Sequence, residues 1–384
     1  MCVLPKATFY VYFGLFFLGY IWVFALLFYN TWEGSGKKRS SAKFSLPSSS
    51  PVQGATKIPI ENDHELFPFI SVPALRQAEV AGGLPVFDLA KPLKISAIDQ
   101  RNCVLTNTQP SFRLCLHDPK KDRGISAHIS LYKEWEPELT HALKAVLTRS
   151  APQATVFLDV GANIGYYALY AAALGYATVA VEPFPDNLEL FRLSAQLNFL
   201  NNPAKAAASD FSRLLTVVPA ALSDRSRVNL TFADDPANIG GRFVLSTVEQ
   251  MAMFRGRQKW RVPALTLDEL LVLPALKVDA VGSGKVKGQR RRVVMKMDIQ
   301  GHECHALRGG RHFLEALDVQ PIFMEWMESS RKRGGEEDYQ CLTEMLSWLK
   351  SAGYQSFTLD HRRLVSLDPS DLTLPQDIVW WKVA

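Results

Sequence analysis

Four residues around two successive apolar runs are the first candidates for chemistry in this sequence. Asp159, Gly161 and Gly165 belong to the turn Asp-Val-Gly-Ala-Asn-Ile-Gly after one run, and Glu182 ends the next run. Glycine lets a backbone approach a ligand where a Cβ would collide, and Asp159 can accept a hydrogen bond from an amine or a hydroxyl. A carboxylate at the position of Glu182 suits the hydroxyls of a ribose. Together these residues predict a site for a nucleoside cofactor.

The same turn argues against a dinucleotide cofactor. NAD(P) sites use the pattern Gly-x-Gly-x-x-Gly, which brings the backbone against the pyrophosphate. Here Asn163 takes the place of the middle glycine, and no third glycine follows Gly165 at the required step. A cofactor without phosphate fits better, so we predict S-adenosyl-L-methionine, with Ala162 and Asn163 in the binding turn. The alternative is a tight turn followed by a solvated Glu182.

Alternating strands and helices must position these residues. Apolar runs and helical spacings recur from residue 151 onward, and such alternation is typical of a parallel sheet covered by helices on both faces. Sheets of this kind bind ligands at the carboxyl ends of their strands. The predicted strands are residues 156–160, 178–182, 216–223, 293–297, 322–325, 356–359 and 377–381, and the clearest helices are residues 164–174 and 185–200.

The motifs of this region, taken in order, resemble the FkbM-type S-adenosylmethionine-dependent methyltransferases over residues 134–325. The resemblance rests on the Asp159 turn, Val181-Glu-Pro, Ala221-Leu-Ser-Asp224, Thr266-Leu-Asp-Glu-Leu, and Met297-Asp-Ile-Gln-Gly-His-Glu303 followed by Leu307-Arg-Gly-Gly. It implies an α/β class I methyltransferase (Rossmann-like) fold with a doubly wound, mostly parallel seven-stranded sheet. It also implies mostly O-methylation, often of sugars or other small hydroxylated acceptors.

The resemblance also points to an adenine loop. In such folds the loop after the third strand covers the adenine, so Ser223 and Asp224 are candidates to bond its amino group; a turn or helix cap is an equal alternative for Asp224. The family pattern often has Glu where Gln300 stands. The Asn-Pro-Pro-aromatic signature of amino-methylating enzymes does not follow the fourth predicted strand, where Asp298-Ile-Gln-Gly stands instead. This difference disfavours N-methylation of bases or amides.

A methyltransferase mainly aligns its acceptor and removes the acceptor's proton. Asp298 closes the fourth predicted strand, so we predict that it orients the acceptor hydroxyl or serves as the base. His302 is a second candidate base, because an imidazole titrates near neutrality. Glu303 and Glu325 are further candidates, the latter because it ends the fifth predicted strand. No metal is predicted, since no clear third oxygen ligand accompanies Asp298 and Glu303.

An uncharged, aromatic-rich segment occupies residues 7–29. As a helix it would reach about 34 Å, enough to cross the ~30 Å hydrocarbon layer of a membrane, and no cleavage site of small residues follows it. We therefore predict a short N-terminal tail (1–6), one transmembrane helix (7–29), a flexible Ser/Lys-rich stalk (30–60), an N-terminal cap region (61–150) and a methyltransferase domain (151–384).

The cap region combines short β-like runs with two cysteines. Residues 111–116 and 126–132 are predicted strands. Cys103 and Cys115 can pair in an oxidising lumen, whereas Cys2, Cys304 and Cys341 are expected to be free thiols. Five cysteines without a Cys-x-x-Cys pair exclude a structural zinc ribbon.

The sequence leaves the side of the membrane open. Basic residues at 37–39 and 43 favour a cytosolic body, whereas the glycan-like acceptors implied by the resemblance favour the lumen of the Golgi or endoplasmic reticulum. The sequon Asn229-Leu-Thr231 matters only for a lumenal body. We predict a single-pass protein of the endomembranes.

Composition limits the remaining functions. Hydrophobic residues make up 47% and charged residues 21% of the chain, which permits a globular core. A net charge of +5 over 384 residues does not indicate a nucleic-acid partner, and none is predicted. We predict a membrane-anchored enzyme that O-methylates a glycan, lipid-linked or small hydroxylated acceptor. The alternatives are an N-methyltransferase of protein or lipid, and a non-catalytic membrane-tethered binding module.

Overall fold

The structure is a computed structural model that describes residues 70–71, 78–79, 83–91, 102–200, 214–235, 238–245, 251, 259–277, 290–326, 336–360, 363–364 and 376–382. All of these residues belong to one compact unit, residues 62–384. The predicted tail, transmembrane helix and stalk (residues 1–60) lie outside the described residues. Among the helices that are described, none is both long and apolar enough to cross a membrane.

Short strands and helices alternate along the described chain. The strands are β1 (Ile70–Ser71), β2 (Ala78–Glu79), β3 (Pro85–Val86), β4 (Cys103–Leu105), β5 (Arg113–Cys115), β6 (Thr155–Val160), β7 (Ala177–Val181), β8 (Leu215–Val218), β9 (Ala221–Leu222), β10 (Asn229–Asp235), β11 (Asn238–Val244), β12 (Lys259–Leu265), β13 (Arg292–Met297), β14 (Asp318–Glu325), β15 (Tyr354–Phe357), β16 (Arg363–Leu364) and β17 (Asp377–Lys382). The α-helices are α1 (Ile125–Tyr132), α2 (Pro137–Thr148), α3 (Tyr166–Ala173), α4 (Pro185–Ala195), α5 (Glu303–Arg308), α6 (Arg311–Ala316) and α7 (Glu336–Ser351). Short 3₁₀ turns cover Pro152–Ala154, Asp268–Val272 and Pro274–Leu276, and a π-helical turn, Gln196–Leu200, continues α4.

The central sheet has eight strands in the order β16–β15–β17–β14–β13–β6–β7–β8. The five strands from β14 to β8 in this order are parallel, and β17 runs antiparallel to both of its neighbours. This is the mostly parallel α/β sheet that the sequence predicts. The predicted number of seven strands was one short, because β16 has only two residues and carries no periodic signal.

Two hydrophobic layers cover this sheet. Side chains alternate between its faces along β6, so Leu158 packs in one layer with Phe313 of α6 and Leu349 of α7, whereas Phe157 packs in the other with Leu169 of α3. All residues of β6 are buried, which explains why the strand is mostly apolar. The strand ends that carry the predicted site residues are therefore held by core packing on both faces.

A second sheet is formed by strands of the chain segment between β8 and β13 together with the short β1. Its strands follow the path β1–β12–β10–β11, and β9 pairs with β12. The predicted single strand at residues 216–223 is divided into β8 and β9. Pro219 stands between the two pieces and lacks the N–H that a continuous ladder requires. This break allows β9 to join the second sheet.

Residues 126–132 form helix α1, so the prediction of a strand there was wrong. The run is too short for hydrophobic periodicity to separate the two structures. The helix is supported by the carboxylate of Asp122, which accepts a hydrogen bond from the backbone N–H of Ser126 at 2.9 Å. Ile129 is buried in the same hydrophobic layer as Leu169. Helix α1 is therefore part of the layer that covers the sheet.

Two disulfides join described segments. Cys103 bonds Cys115 across the hairpin of β4 and β5, the pairing that the sequence allowed. Cys304 of α5 bonds Cys341 of α7, so the expectation that both are free thiols was wrong. These two residues are 37 positions apart in sequence, and only the packing of α5 against α7 brings them together.

Candidate active site

A cavity of about 410 Å³ opens at the carboxyl ends of β6, β7, β13 and β14. Several predicted site residues line it: Gly161, Ala162, Asn163, Glu182, Asp298, His302 and Glu325. Other predicted site residues are not part of its lining: Asp159, Gly165, Ser223, Asp224 and Glu303. The fold thus brings the cofactor turn and three of the four catalytic candidates to one cavity.

The turn after β6 needs glycine at two positions for different structural reasons. Gly161 has φ +83°, and a Cβ there would lie 1.9 Å from the carbonyl oxygen of Asp298. Gly165 has φ +89°, and a Cβ there would lie 2.5 Å from the ring of Phe191. Gly161 therefore lets the ends of β6 and β13 approach each other beside the cavity, whereas Gly165 makes room for a side chain of α4.

Glu182 is held by three hydrogen bonds from the protein. Its Oε2 accepts from the backbone N–H of Asn163 at 2.8 Å, and its Oε1 accepts from the N–H of Phe184 and from Nδ2 of Asn187, both at 3.0 Å. Burial raises the pKa of Glu182 to about 7. A carboxylate offers about four acceptor positions, so one remains for a hydroxyl of a cofactor in the cavity.

Asp159 lies beneath the cavity and is completely buried. Neither carboxylate oxygen makes a hydrogen bond of ordinary geometry to the described residues. Burial raises the pKa of Asp159 to about 6, although the nearby Lys296 ammonium opposes this rise. The backbone N–H of Ala168 opposes the rise as well, and the charge of Asp298 adds to it.

A connected set of polar side chains surrounds the ends of β13 and β14. Lys296 places its Nζ 3.1 Å from Oδ2 of Asp298. Gln300 donates from Nε2 to Oδ1 of Asp298 at 2.8 Å and to Oε2 of Glu325 at 3.0 Å. The other oxygen of Glu325 accepts from Nε2 of Gln376 at 2.9 Å. Both carboxyl groups line the cavity and face the same amide.

The two carboxyls differ in their affinity for a proton. Burial alone would raise the pKa of Asp298, but the Lys296 ammonium and hydrogen bonds lower it below its usual value. Burial, and then the charge of Asp298, raises the pKa of Glu325 well above its usual value. The ammonium of Lys296 is itself kept charged by the surrounding carboxylates, which raise its pKa against the effect of burial. The surroundings of the pair therefore favour the charge on Asp298 and the proton on Glu325.

Glu303 supports the turn that follows β13. Its Oε1 accepts from the backbone N–H groups of Ile299 and Gly301 at 3.0 and 3.2 Å. Burial raises its pKa to about 7. The structure thus places Glu303 behind the cavity, where it holds the backbone between Asp298 and α5.

His302 lines the cavity, but the predicted adenine residues stand behind it. The Nε2 of His302 lies 3.1 Å from Oγ of Ser223, and its ring stacks on that of His305 with centroids 4.5 Å apart. Asp224 lies 3.5 Å from Nη1 of Arg308 and 3.7 Å from Nδ1 of His305. Ser223 and Asp224 therefore support His302 and α5 in this geometry.

Sequence reasoning missed residues on both sides of the cavity. Lys296 is the one charged side chain in the interior of β13, Arg292–Met297, and this isolated charge in an apolar run is a usable signal. Arg242 also lines the cavity, pairs with Asp186 through two hydrogen bonds, and lies over the rings of Phe184 and Trp260 at 4.4 and 4.7 Å. No local pattern predicts the contacts of Arg242, because they join α4 to the second sheet.

The fold and the cavity are those of a class I S-adenosylmethionine-dependent methyltransferase. A sequence model described as the Methyltransferase FkbM domain matches residues 159–356. The chain belongs to this family. The predicted family and the predicted cofactor, S-adenosyl-L-methionine, are confirmed.

Solved structures of other methyltransferases are similar to this chain. A TehB-like SAM-dependent methyltransferase from Corynebacterium glutamicum shares 12% identity over 64% of this chain and 88% of its own, with a TM-score of 0.28. The N-terminal domain of human METTL16 in complex with SAH shares 11% over 70% and 75%, with a TM-score of 0.29. The CcbJ methyltransferase from Streptomyces caelestis shares 13% over 66% and 96%, with a TM-score of 0.29. No curated protein sequence matches the chain.

The residues around the cavity fit this cofactor. Gly161 lets the turn after β6 lie against the end of β13 and line the cavity, and Glu182 keeps an acceptor position for a ribose hydroxyl. The ionised carboxylate of Asp298 suits a neighbouring sulfonium charge. When bound, S-adenosylmethionine supplies an electrophilic methyl group.

Proposed function

We propose that this methyltransferase O-methylates a hydroxyl of a glycan, lipid-linked or small hydroxylated acceptor. One observation carries the proposal: Asp298, a partly exposed carboxyl on the wall of the cofactor cavity, forms an ion pair with Lys296, which helps to hold its pKa below the usual value. An alcohol is a poor nucleophile until its proton is removed, so a fixed base beside the acceptor assists its methylation.

The side chains of this chain support such a transfer in a simple arrangement. Asp298 accepts the hydroxyl proton, and Lys296 stabilises the carboxylate before the transfer. Glu325, when protonated, offers a hydrogen bond to the acceptor from the neighbouring strand. Trp135 and Tyr166 add aromatic faces to the same cavity, and these suit the apolar face of a sugar ring.

The position of Lys296 favours a hydroxyl over an amine. Its Nζ lies 5.1 Å from the ring centroid of Tyr167 and pairs with Asp298. An aromatic face and a carboxylate are the groups that would otherwise hold an acceptor ammonium. Because Lys296 already occupies this place, an amine acceptor in its charged form would meet a second cation.

The test uses the full-length protein and methyl-labelled S-adenosylmethionine. Separate reactions contain oligosaccharides, lipid-linked saccharides, phospholipids and proteins, and Asp298→Asn is the control variant. We expect label in a hydroxylated acceptor, as an O-methyl group in the carbon NMR spectrum of the product. Label on nitrogen would favour the N-methyltransferase alternative. Cofactor binding without transfer to any acceptor would favour a non-catalytic binding module.

We also propose that residues 7–29 anchor the protein in the Golgi or endoplasmic reticulum membrane, with residues 62–384 in the lumen. The disulfides Cys103–Cys115 and Cys304–Cys341 support this side, because disulfides persist mainly in oxidising compartments. Asn229 is exposed at the start of β10, so its sequon is accessible.

The topology test compares the full-length protein with Asn229→Gln in cells. A lumenal body predicts a glycosidase-sensitive mass difference between the two and protection of the C terminus from protease in sealed vesicles. Digestion of the C terminus in sealed vesicles would place the body in the cytosol.

A further inference from the structure

The amide of Gln300 joins the two carboxyl groups beside the ends of β13 and β14. Its Nε2 lies 2.8 Å from Oδ1 of Asp298 and 3.0 Å from Oε2 of Glu325. A primary amide nitrogen carries two hydrogens, so this geometry gives one to each carboxyl. Gln300 has φ +57°, an uncommon backbone conformation at the residue that makes the bridge. The bridge fixes the relative position of the two carboxyls.

The remaining partners of the two carboxyls are different. Oδ2 of Asp298 lies 3.1 Å from Nζ of the Lys296 ammonium. Oε1 of Glu325 instead accepts a hydrogen bond from Nε2 of the neutral Gln376 amide at 2.9 Å. An ammonium stabilises an ionised carboxyl far more than an amide does. Two neighbouring carboxyls do not readily ionise together. The geometry therefore favours one ionised and one protonated carboxyl.

The other ionisable groups around the pair do not reverse this difference. Acidic groups act on this region from four further elements: Glu136 before α2, Asp159 of β6, Glu303 of α5 and Asp377 of β17. Their negative charges favour protonation of a neighbouring carboxyl, whereas the ion pair of Lys296 is with Asp298. Tyr167 lies against Lys296, and His302, on the same cavity wall, is hydrogen-bonded to Ser223.

We propose that Lys296 and Gln300 are positioning residues that divide one proton unequally between Asp298 and Glu325. Asp298 stays ionised to receive the proton of the acceptor, and Glu325 stays protonated beside it. The role of this proton distribution in catalysis rests on the proposed function, because it requires an acceptor hydroxyl. The distribution itself is a property of the protein without acceptor.

The transfer balances with this distribution. The acceptor oxygen forms the new O–C bond, and the electron pair of the broken C–S bond returns to sulfur, which becomes a neutral thioether. The hydroxyl proton passes to Asp298. Glu325 keeps its proton throughout and donates a hydrogen bond. Release of one proton from Asp298 to water restores the starting state.

Infrared spectroscopy of the full-length protein tests which carboxyl holds the proton. Samples are prepared with carboxyl-¹³C glutamate or aspartate and measured at about pH 8.5, above the values near 6 and 7 of Asp159 and Asp377. We expect a protonated-carboxyl band that shifts with labelled glutamate and is lost in Glu325→Gln. Persistence of every glutamate band in Glu325→Gln would overturn the assignment.

The same spectra test Lys296. In Lys296→Met, Asp298 loses its cation, so we expect an additional protonated-carboxyl band that shifts with labelled aspartate. Lys350→Met is the matched control, because Lys350 is exposed near the end of α7, and it should match the wild type. A folded Lys296→Met protein without an aspartate band would contradict the role of Lys296.

Gln300→Glu is the second variant, and it keeps the size of the side chain. A third carboxyl then replaces the bridging amide, so the negative charge beside the methyl position rises with pH. We measure the affinities for S-adenosylmethionine, a sulfonium, and S-adenosylhomocysteine, a neutral thioether. At pH 8.5, the ratio of the affinity for S-adenosylmethionine to the affinity for S-adenosylhomocysteine should be about tenfold higher in Gln300→Glu than in the wild type, as expected for one additional nearby charge. Gln340→Glu, at an exposed position of α7, is the control.

An unchanged ratio in Gln300→Glu would contradict the role of Gln300. None of these measurements contains an acceptor. A failed search for a methylated hydroxyl therefore counts against the proposed function alone, and the spectra and affinity ratios decide the proton distribution alone.

Discussion

The two parts of the cavity are built in different ways. At the cofactor turn, Gly161 and the backbone N–H of Asn163, with Glu182, form the wall, and all lie within a short stretch of chain. At the carboxyl pair, side chains of Asp298 and Glu325 from neighbouring strands meet through Gln300. The first part depends on backbone shape, and the second depends on the charges of side chains on neighbouring strands.

This difference separates binding from chemistry. A change of backbone shape at the turn removes the space that the cofactor needs, whatever the charges nearby. A change of charge at the carboxyl pair leaves the space and alters proton transfer. Substitutions in the two parts should therefore affect different measured quantities.

The largest effect is expected at the turn, for Gly161→Ala. A Cβ would lie 1.9 Å from the carbonyl oxygen of Asp298, so the turn must move, and S-adenosylhomocysteine binding should weaken more than about a hundredfold in calorimetry. Gly175→Ala is the control, because Gly175 has φ +91° but nothing within 4 Å of an added Cβ. It should cost about 1–2 kcal/mol of stability and no affinity. Normal affinity in Gly161→Ala would remove the turn from the site.

The next effect is expected at the carboxyl pair, for Asp298→Asn. Turnover should fall at least about a hundredfold while affinity for the neutral S-adenosylhomocysteine changes little, because the substitution removes a base and keeps the volume. The measurement is initial rate at saturating cofactor, beside a binding isotherm. His302→Gln should cost less, since its Nε2 is engaged by Ser223. Near-normal turnover in Asp298→Asn would shift the search for the base to Glu325.

A smaller effect on binding is expected for Glu182→Ala. Hydrogen bonds to a charged group contribute roughly 1.5–3 kcal/mol, so cofactor affinity should fall about ten- to a hundredfold. Turnover at saturating cofactor should change much less than in Asp298→Asn. Calorimetry that finds unchanged affinity in Glu182→Ala would show that the remaining acceptor position of Glu182 is not used.

The smallest effect concerns stability and pH. Burial raises the pKa of Glu182, Glu303 and Asp377 to about 7 in the folded protein. The folded state therefore binds more protons than the unfolded state between about pH 4.5 and 7, and stability should fall as pH rises through this window. In Glu303→Gln, the free energy of unfolding should fall less steeply with pH, by at most about 1.4 kcal/mol per pH unit. Denaturant titrations at several pH values measure it, and an unchanged slope would contradict the shift at Glu303.

Much of the fold was predictable because its signals are local. The mostly apolar runs of β6 and β13 identify buried parallel strands, and the glycines at 161 and 165 mark the turn. Errors occurred where the signal was short or ambiguous. Helix α1 was predicted as a strand, and the two-residue β16 was not predicted.

The sequence by itself determined the fold class, the family and the glycine turn after β6, because each is carried by local motifs in the chain. The tertiary structure decided the rest. It paired Cys304 with Cys341, moved Glu303 behind the cavity, and linked Asp298 to Glu325 through Gln300. These contacts depend on which strands and helices become neighbours and on how deeply each group is buried. Burial and charge pairing set the proton affinity of a carboxyl, and both arise only when distant segments pack together.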